Sequence, residues 1–135
     1  MGVEPYVVTP SLAGILGQRL VRQTCESCKE EYEISEDLLK QYFYWTTKTE
    51  FPEFYKGAGC EACQNTGYKG RIGIHEFIAI DFKGRELIIK RVSYTELAEY
   101  AFNNDYQDMR FDGFSKVIHG LTTIDEVIRV TTIDQ

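Results

Sequence analysis

Apolar residues recur with helical spacing near the start of the chain. Leu12, Ile15, Leu16, Leu20 and Val21 fall on one face, and Gln18, Arg19, Arg22 and Gln23 lie largely off it. Thr9 ahead of Pro10 reads as an N-cap followed by proline at the first helical position, so the pattern predicts a helix from Thr9 to about Gln23. Upstream, Met1 to Val8 is short and apolar with Pro5 inside it, the pattern of an edge strand or an extended approach. Ser35 caps a second predicted helix, from about Glu36 to Phe43, with Leu38, Leu39 and Tyr42 on its apolar side.

The pattern changes over Arg71-Ile-Gly-Ile-His-Glu-Phe-Ile-Ala-Ile80, which is isoleucine-rich and reads as a strand buried on at least one face. Gly84 to Arg91 reads as a short helix carrying Leu87 and Ile88. Ser93-Tyr-Thr-Glu96 is a capping box that opens a helix with Leu97, Ala98, Ala101 and Phe102 on one face. Gln107 to His119 is another, with Phe114, Val117 and Ile118 inward and Gly120 as its stop. Thr123-Ile-Asp-Glu126 is a further capping box, followed by Ile124, Val127, Ile128 and Val130. An aromatic cluster (Tyr42, Phe43, Tyr44, Trp45, Phe51, Phe54, Tyr55) reads first as local packing and second as a docking patch.

The chemistry lies in the cysteines. The four in the chain fall as Cys25-Glu-Ser-Cys28 and Cys60-Glu-Ala-Cys63. Two residues between cysteines let one turn aim both sulfurs at one point, and two such turns supply the four thiolates of a tetrahedral zinc site. Cys25, Cys28, Cys60 and Cys63 are therefore the candidate metal ligands. With every position filled by protein, no place remains for water or substrate, so the expected zinc is structural. Four thiolates on one Zn²⁺ leave about −2, which Lys29, Lys56, Lys69 and Arg71 stand near enough in sequence to offset. His75 is not needed as a ligand and reads as structural or partly exposed. Glycines at 57, 59, 67, 70 and 73 flank the second pair.

Composition narrows the function. The chain has 135 residues, is 43% hydrophobic and carries a formal net charge of −6, with a sequence pI near 5.0. That length suits one modest domain. The acidic balance argues against nucleic acid or an anionic membrane surface as the main partner. No apolar run reaches the length of a membrane span, and no signal peptide is expected. A phosphate-binding Gly-x-x-x-x-Gly-Lys-Ser/Thr loop is absent from the sequence, and no cysteine is spare for a nucleophile. The expected fold is α+β: a small zinc-knuckle domain with a short β region and a C-terminal helical cluster. A stand-alone zinc-ribbon binding module, for nucleic acid or protein, is the alternative this pattern leaves open.

Three stretches together resemble a known family. They are Gly2-Val-Glu-Pro-Tyr6 leading to Gln18-Arg-Leu-Val-Arg22-x-x-Cys25-x-x-Cys28; Gly57-x-Gly-Cys60-x-x-Cys63-x-x-x-Gly67-Tyr68-x-Gly70-Arg71-x-Gly73-Ile74-x-Glu76; and Met109-Arg-x-Asp112-Gly113 with Gly120-Leu-Thr-Thr123-x-x-Glu126-Val127. The chain resembles the C-terminal end of the ATPases of type II secretion and type IV pilus assembly. The resemblance implies that residues 1–23 are the tail of a RecA-like ATPase core and residues 24–135 a tetracysteine zinc-binding subdomain with its C-terminal helices. It implies a cytoplasmic, homo-hexameric parent motor that uses ATP and Mg and works against an inner-membrane platform protein, peripheral to the membrane through its partners. The fragment would carry zinc but neither Walker motif, with no catalytic and no nucleotide-binding residue to name. Arg19 and Arg22 are candidates for approaching nucleotide or a neighbouring subunit in that motor, against plain helix-surface charge.

Overall fold

A computed structural model describes residues 2–43 and 54–132. It is an α+β chain. A short helix α1 (Pro5–Val8) and a 3₁₀ turn (Thr9–Ser11) lead into a long strand β1 (Gly14–Thr24). Then come β2 (Lys29–Tyr32), α2 (Glu36–Tyr42), β3 (Phe54–Gly57), a 3₁₀ turn (Glu61–Cys63) and β4 (Tyr68–Ala79). Four helices close the chain: α3 (Phe82–Ile89), α4 (Tyr94–Asn103), α5 (Met109–Ile118) and α6 (Ile124–Thr131).

Two expectations at the N-terminus are corrected. Where an edge strand is expected over Met1–Val8, residues Pro5–Val8 form a helical turn opened by Pro5 at its first position. The helix expected from Thr9 to about Gln23 is instead β1, which pairs with β4. Gly14 and Gly17 explain the difference. A methyl on Gly14 would stand 2.6 Å from the Phe77 ring and one on Gly17 2.9 Å from Glu76, so both glycines serve close strand packing. In a helix interior each would cost about 1 kcal/mol relative to alanine. The apolar spacing that reads as helical is satisfied differently: of those five residues only Val21 is buried, while Ile15, Leu16 and Leu20 are exposed.

Elsewhere local signals hold. Ser35 caps α2 by accepting from the Leu38 N–H. Ser93 and Glu96 form the capping box of α4 in both directions. Asp81 caps α3, which starts two residues before the expected Gly84. On α4 Ala101 is buried and Leu97 and Ala98 half-buried as expected, but Phe102 is 63% exposed and Tyr100 goes inside instead.

The chain forms two compact units. The first is Met1–Gly17 with His75–Asp108; the second is Gln18–Ile74 with Met109–Gln135. In the first unit, α3 lies beside α1, the 3₁₀ turn and α4. The Tyr100 hydroxyl donates to Asp81 at 2.5 Å, and the Tyr106 hydroxyl to Glu76 at 2.6 Å. Few residues are buried here: Thr9, Ile80, Gly84, Tyr100 and Ala101.

The second unit holds the main core. Phe43, Phe54, Phe114, Val117, Ile124 and Val127 pack together, with Tyr32, Tyr42 and Ile34 against them. Phe43 meets Phe54 and Phe114 at ring separations of 5.2 and 5.4 Å. The packing reading of the aromatic cluster thus applies to Tyr42, Phe43 and Phe54; Tyr44, Trp45 and Phe51 lie outside the described residues. A smaller core joins Val21 of β1 and Ile74 of β4 to Met109, with Ile72 and Val130 against it. Among the described residues no helix is long and apolar enough to cross a membrane.

Candidate metal centre

The two cysteine turns are positioned by strands. Cys25 follows β1 and Cys28 precedes β2; Cys60 follows β3 and Cys63 precedes β4. β2 and β3 pair antiparallel, Lys29 opposite Gly57 and Tyr32 opposite Phe54, which brings the end of one turn to the start of the other. Two backbone bonds then lock the turns together: Cys25 N–H to Gly67 O at 2.9 Å and Ala58 N–H to Cys28 O at 3.0 Å. Gly57 and Gly67 meet backbone to backbone at this crossing. A methyl on Gly57 would lie 2.1 Å from the Gly67 carbonyl oxygen, and Gly67 has φ +80°, so both positions need glycine.

The four sulfurs lie within 4.8 Å of one another. Cys25 to Cys60 and Cys28 to Cys63 are 3.8 Å apart, and Cys60 to Cys63 is 3.7 Å. A tetrahedron with metal–sulfur bonds of about 2.3 Å has edges of about 3.8 Å. The spacing therefore suits zinc and is far longer than a disulfide bond of about 2.0 Å. Cys25 and Cys63 are buried and Cys28 and Cys60 half-buried, so a metal held here would be largely shielded from water. His75 lies half-buried within β4, outside the cluster.

Backbone amides aim at the sulfurs. Gly59 N–H donates to Cys28 Sγ at 3.3 Å, and Cys63 Sγ accepts from Cys60 N–H at 3.3 Å and Gly67 N–H at 3.2 Å. Burial alone pushes the Cys63 thiol up, but the two amide donors outweigh it and bring it down to about 6. Cys28 goes the other way, pushed up to about 12 by burial and the neighbouring sulfurs against one amide donor. Four thiolates this close repel one another, and a divalent cation is what lets all of them stay charged. Of the nearby cations, Lys29 sits over the Tyr55 ring at 4.9 Å and Lys56 over Tyr32 at 5.4 Å, while Lys69 and Arg71 are exposed.

A second cluster escaped the sequence reading. Thr123 caps α6 as expected, accepting from the Glu126 N–H. The Glu126 carboxylate, however, is buried and turns to β1. It accepts from the Arg22 backbone N–H at 2.8 Å and the Arg22 guanidinium at 2.7 Å, and from Arg129 through two nitrogens at 2.8 Å each. Burial opposes the charge, but the Arg129 and Arg22 bonds outweigh it and hold Glu126 down to about 2. Arg22 also stacks on Tyr68 at 4.2 Å, whose hydroxyl meets Thr123 Oγ1 at 2.8 Å. Arg22 is thus a strand residue tied to α6, not helix-surface charge, and Arg19 reaches the Val130 carbonyl. No short-range signal links Arg22 to a residue 104 positions away.

Comparison with known proteins agrees with the motifs. A family model described as type II/IV secretion system protein matches residues 1–129. The chain is 40% identical over 131 residues to a type IV pilus assembly ATPase, PilB, of Thermus thermophilus, covering 97% of this chain and 15% of that protein. It is 39% identical over 135 residues to a type II secretion system ATPase E of Vibrio cholerae, covering 97% and 25%. Against a type II secretion system protein E of Pseudomonas aeruginosa it is 37% identical over 131 residues, covering 97% and 26%. The chain spans about a quarter or less of the length of these relatives.

Proposed function

The chain belongs to the type II/IV secretion system protein family, and on that premise we propose that it is the metal-binding end of an ATP-hydrolysing motor for pilus assembly or protein secretion. Cys25, Cys28, Cys60 and Cys63 hold one structural zinc, which when bound cross-links the two cysteine turns and neutralises their thiolates. The observation that carries this reading is the sulfur quartet, all within 4.8 Å and with three of its edges at 3.7–3.8 Å, inside a match running over almost the whole chain.

In this reading residues 1–23 are the tail of a RecA-like ATPase core and 24–135 the zinc subdomain with its helices, a division by descent rather than by compactness. ATP and Mg bind elsewhere in the parent protein. The parent is a cytoplasmic homo-hexamer, peripheral to the inner membrane. It passes nucleotide-driven subunit rotations to a platform protein there, and the zinc lobe is a rigid contact surface for that platform or a neighbouring subunit. The amides of Gly59, Cys60 and Gly67 orient the ligands; no group in this chain does chemistry on a substrate.

The test is metal content of the purified chain, with circular dichroism before and after a strong chelator, paired with a Cys60→Ser parent protein assayed for ATP hydrolysis and for pilus assembly or secretion. One zinc per chain, loss of structure on chelation and loss of assembly in the variant are expected. A metal-free chain with the same fold, or a variant that still assembles pili or secretes normally, overturns the zinc-lobe role.

A further inference from the structure

The four sulfurs are alike in spacing but not in surroundings. Cys63 is buried and its sulfur accepts two backbone amides, from Cys60 and Gly67. Cys28 is half-buried and accepts one, from Gly59. The sulfurs of Cys25 and Cys60 accept no amide among the described residues and meet other cysteine sulfurs instead. Cys25 is 1% exposed. Cys60 is half-buried, and the turn that carries it is open to water: Glu61, Ala62, Gln64 and Asn65 are all exposed. Cys60 is thus the one cysteine of the four that is both partly exposed and without an amide donor among the described residues.

An N–H aimed at a thiolate stabilises its charge and weakens its attack on an electrophile. Oxidation of cysteine follows thiolate character and exposure. A zinc site keeps all of its ligands deprotonated, so exposure and amide donation decide which of them reacts. Resting on the zinc reading above, we propose that Cys60 is an oxidation site and that, with Cys25, it lets a hydroperoxide empty the metal site reversibly. The Cys60 sulfur attacks a peroxide oxygen. An S–O bond forms, the O–O bond breaks and hydroxide leaves, giving a sulfenic acid. The Cys25 thiolate, 3.8 Å away, then attacks the Cys60 sulfur; the S–S bond forms, the S–O bond breaks and a second hydroxide leaves. The two sulfurs lose two electrons and the peroxide gains them. Cys28 and Cys63 remain as a two-sulfur site, release the ion and take up protons from water. Cys63 lies at 3.7 Å from Cys60, but its two amides make it the poorer second nucleophile. The oxidant is a neutral one, because a tetrathiolate zinc site carries about −2 and Glu61 stands next to Cys60 in the chain. The disulfide joins the same two turns that zinc would join, so the metal leaves while the cross-link stays.

The experiment treats the zinc-loaded 135-residue chain with hydrogen peroxide, beside a metallochromic chelator too weak to strip the untreated chain. A parallel sample contains dimedone to trap sulfenic acid, and peptide mass spectrometry locates every adduct and disulfide. About one zinc is expected per peroxide consumed. The first dimedone adduct falls on Cys60; without the trap the disulfide is Cys25–Cys60, and dithiothreitol with zinc restores the metal content. Limiting N-ethylmaleimide on the untreated chain labels Cys60 at least about 10-fold faster than Cys63. A first adduct on Cys28 or Cys63, equal labelling of all four, a Cys28–Cys63 or Cys60–Cys63 disulfide, or zinc retained in a large excess of peroxide overturns the inference. A chain that purifies without zinc overturns the zinc reading and this inference with it; a zinc-loaded chain with any of those other patterns overturns this inference alone.

Discussion

The two compact units spend their apolar residues in opposite ways. Among the described residues the second buries fifteen apolar and polar side chains, Val21, Phe43, Phe54, Phe114, Val127 and Glu126 among them, and it holds the sulfur quartet. The first buries little beyond Ile80, Tyr100 and Ala101, yet of the thirteen exposed large hydrophobics among the described residues it carries eleven, Tyr94 and Phe82 the most open. One unit is built around a core and four clustered cysteines. The other has local helix signals without a core to match. Small units commonly make up such a deficit with metal or with a partner surface, and here the four cysteines that could hold a metal all fall in one unit.

Metal removal is the sharpest way to break that comparison. Chelation, or Cys60→Ser, is expected to collapse exchange protection in β2, β3 and both cysteine turns, an effect on the order of 10 kcal/mol. The α4 amides held by the Ser93–Glu96 capping box should keep their rates. Hydrogen exchange with and without chelator measures both at once, and equal loss in the two units would show that the contrast is wrong.

Next in size is the Glu126 cluster. Glu126→Ala leaves Arg22 and Arg129 without their shared carboxylate and should cost about 3–5 kcal/mol in denaturant unfolding. The pH dependence follows from a carboxyl brought from an ordinary 4.5 down to about 2 in the folded chain. The unfolded state then binds the proton more readily, so this stabilisation is fully present above pH 4.5 and is lost as pH falls toward 2. The gap between the unfolding midpoints of wild type and Glu126→Gln should be narrower at pH 3 than at pH 7; a constant gap would sink the assignment.

Gly57→Ala tests the crossing of the cysteine turns. With its methyl 2.1 Å from a backbone oxygen, the substitution must push the turns apart. About 1–3 kcal/mol of stability and a weaker hold on zinc are expected, read by competition with a metallochromic chelator. The smallest effect belongs to the first unit: Ser93→Ala should cost about 1 kcal/mol, visible as faster exchange at Glu96. Unchanged exchange there would mean that the cap contributes nothing to α4.

Much of this was legible in sequence because the signals are short-ranged. Cys-x-x-Cys turns, the Ser35 and Ser93 caps, the strand after Gly70 and the Gly120 stop each depend on residues within a few positions. The failures share the opposite property. Residues 9–23 carry apolar spacing that a helix and a ribbon can both use, and the hydrogen-bond ladder to β4 decides between them. The Thr123–Glu126 motif was read as a reciprocal cap, but its carboxylate has a stronger use in two guanidiniums. In α4 only Phe102 departs from the expected face: it is exposed, while Tyr100, bonded to Asp81, goes inside beside Ala101.

The sequence by itself determined which cysteines pair up, most helix starts and the family, since cysteine spacing, capping and motif order are written locally along the chain. Tertiary structure alone decided that β1 is a strand, that its last residues are sealed by α6 through Glu126, and that sulfurs of the two cysteine turns meet at 3.8 Å. Those outcomes depend on backbone groups and charges distant in sequence, whose pairing energy exists only once the chain has brought them together.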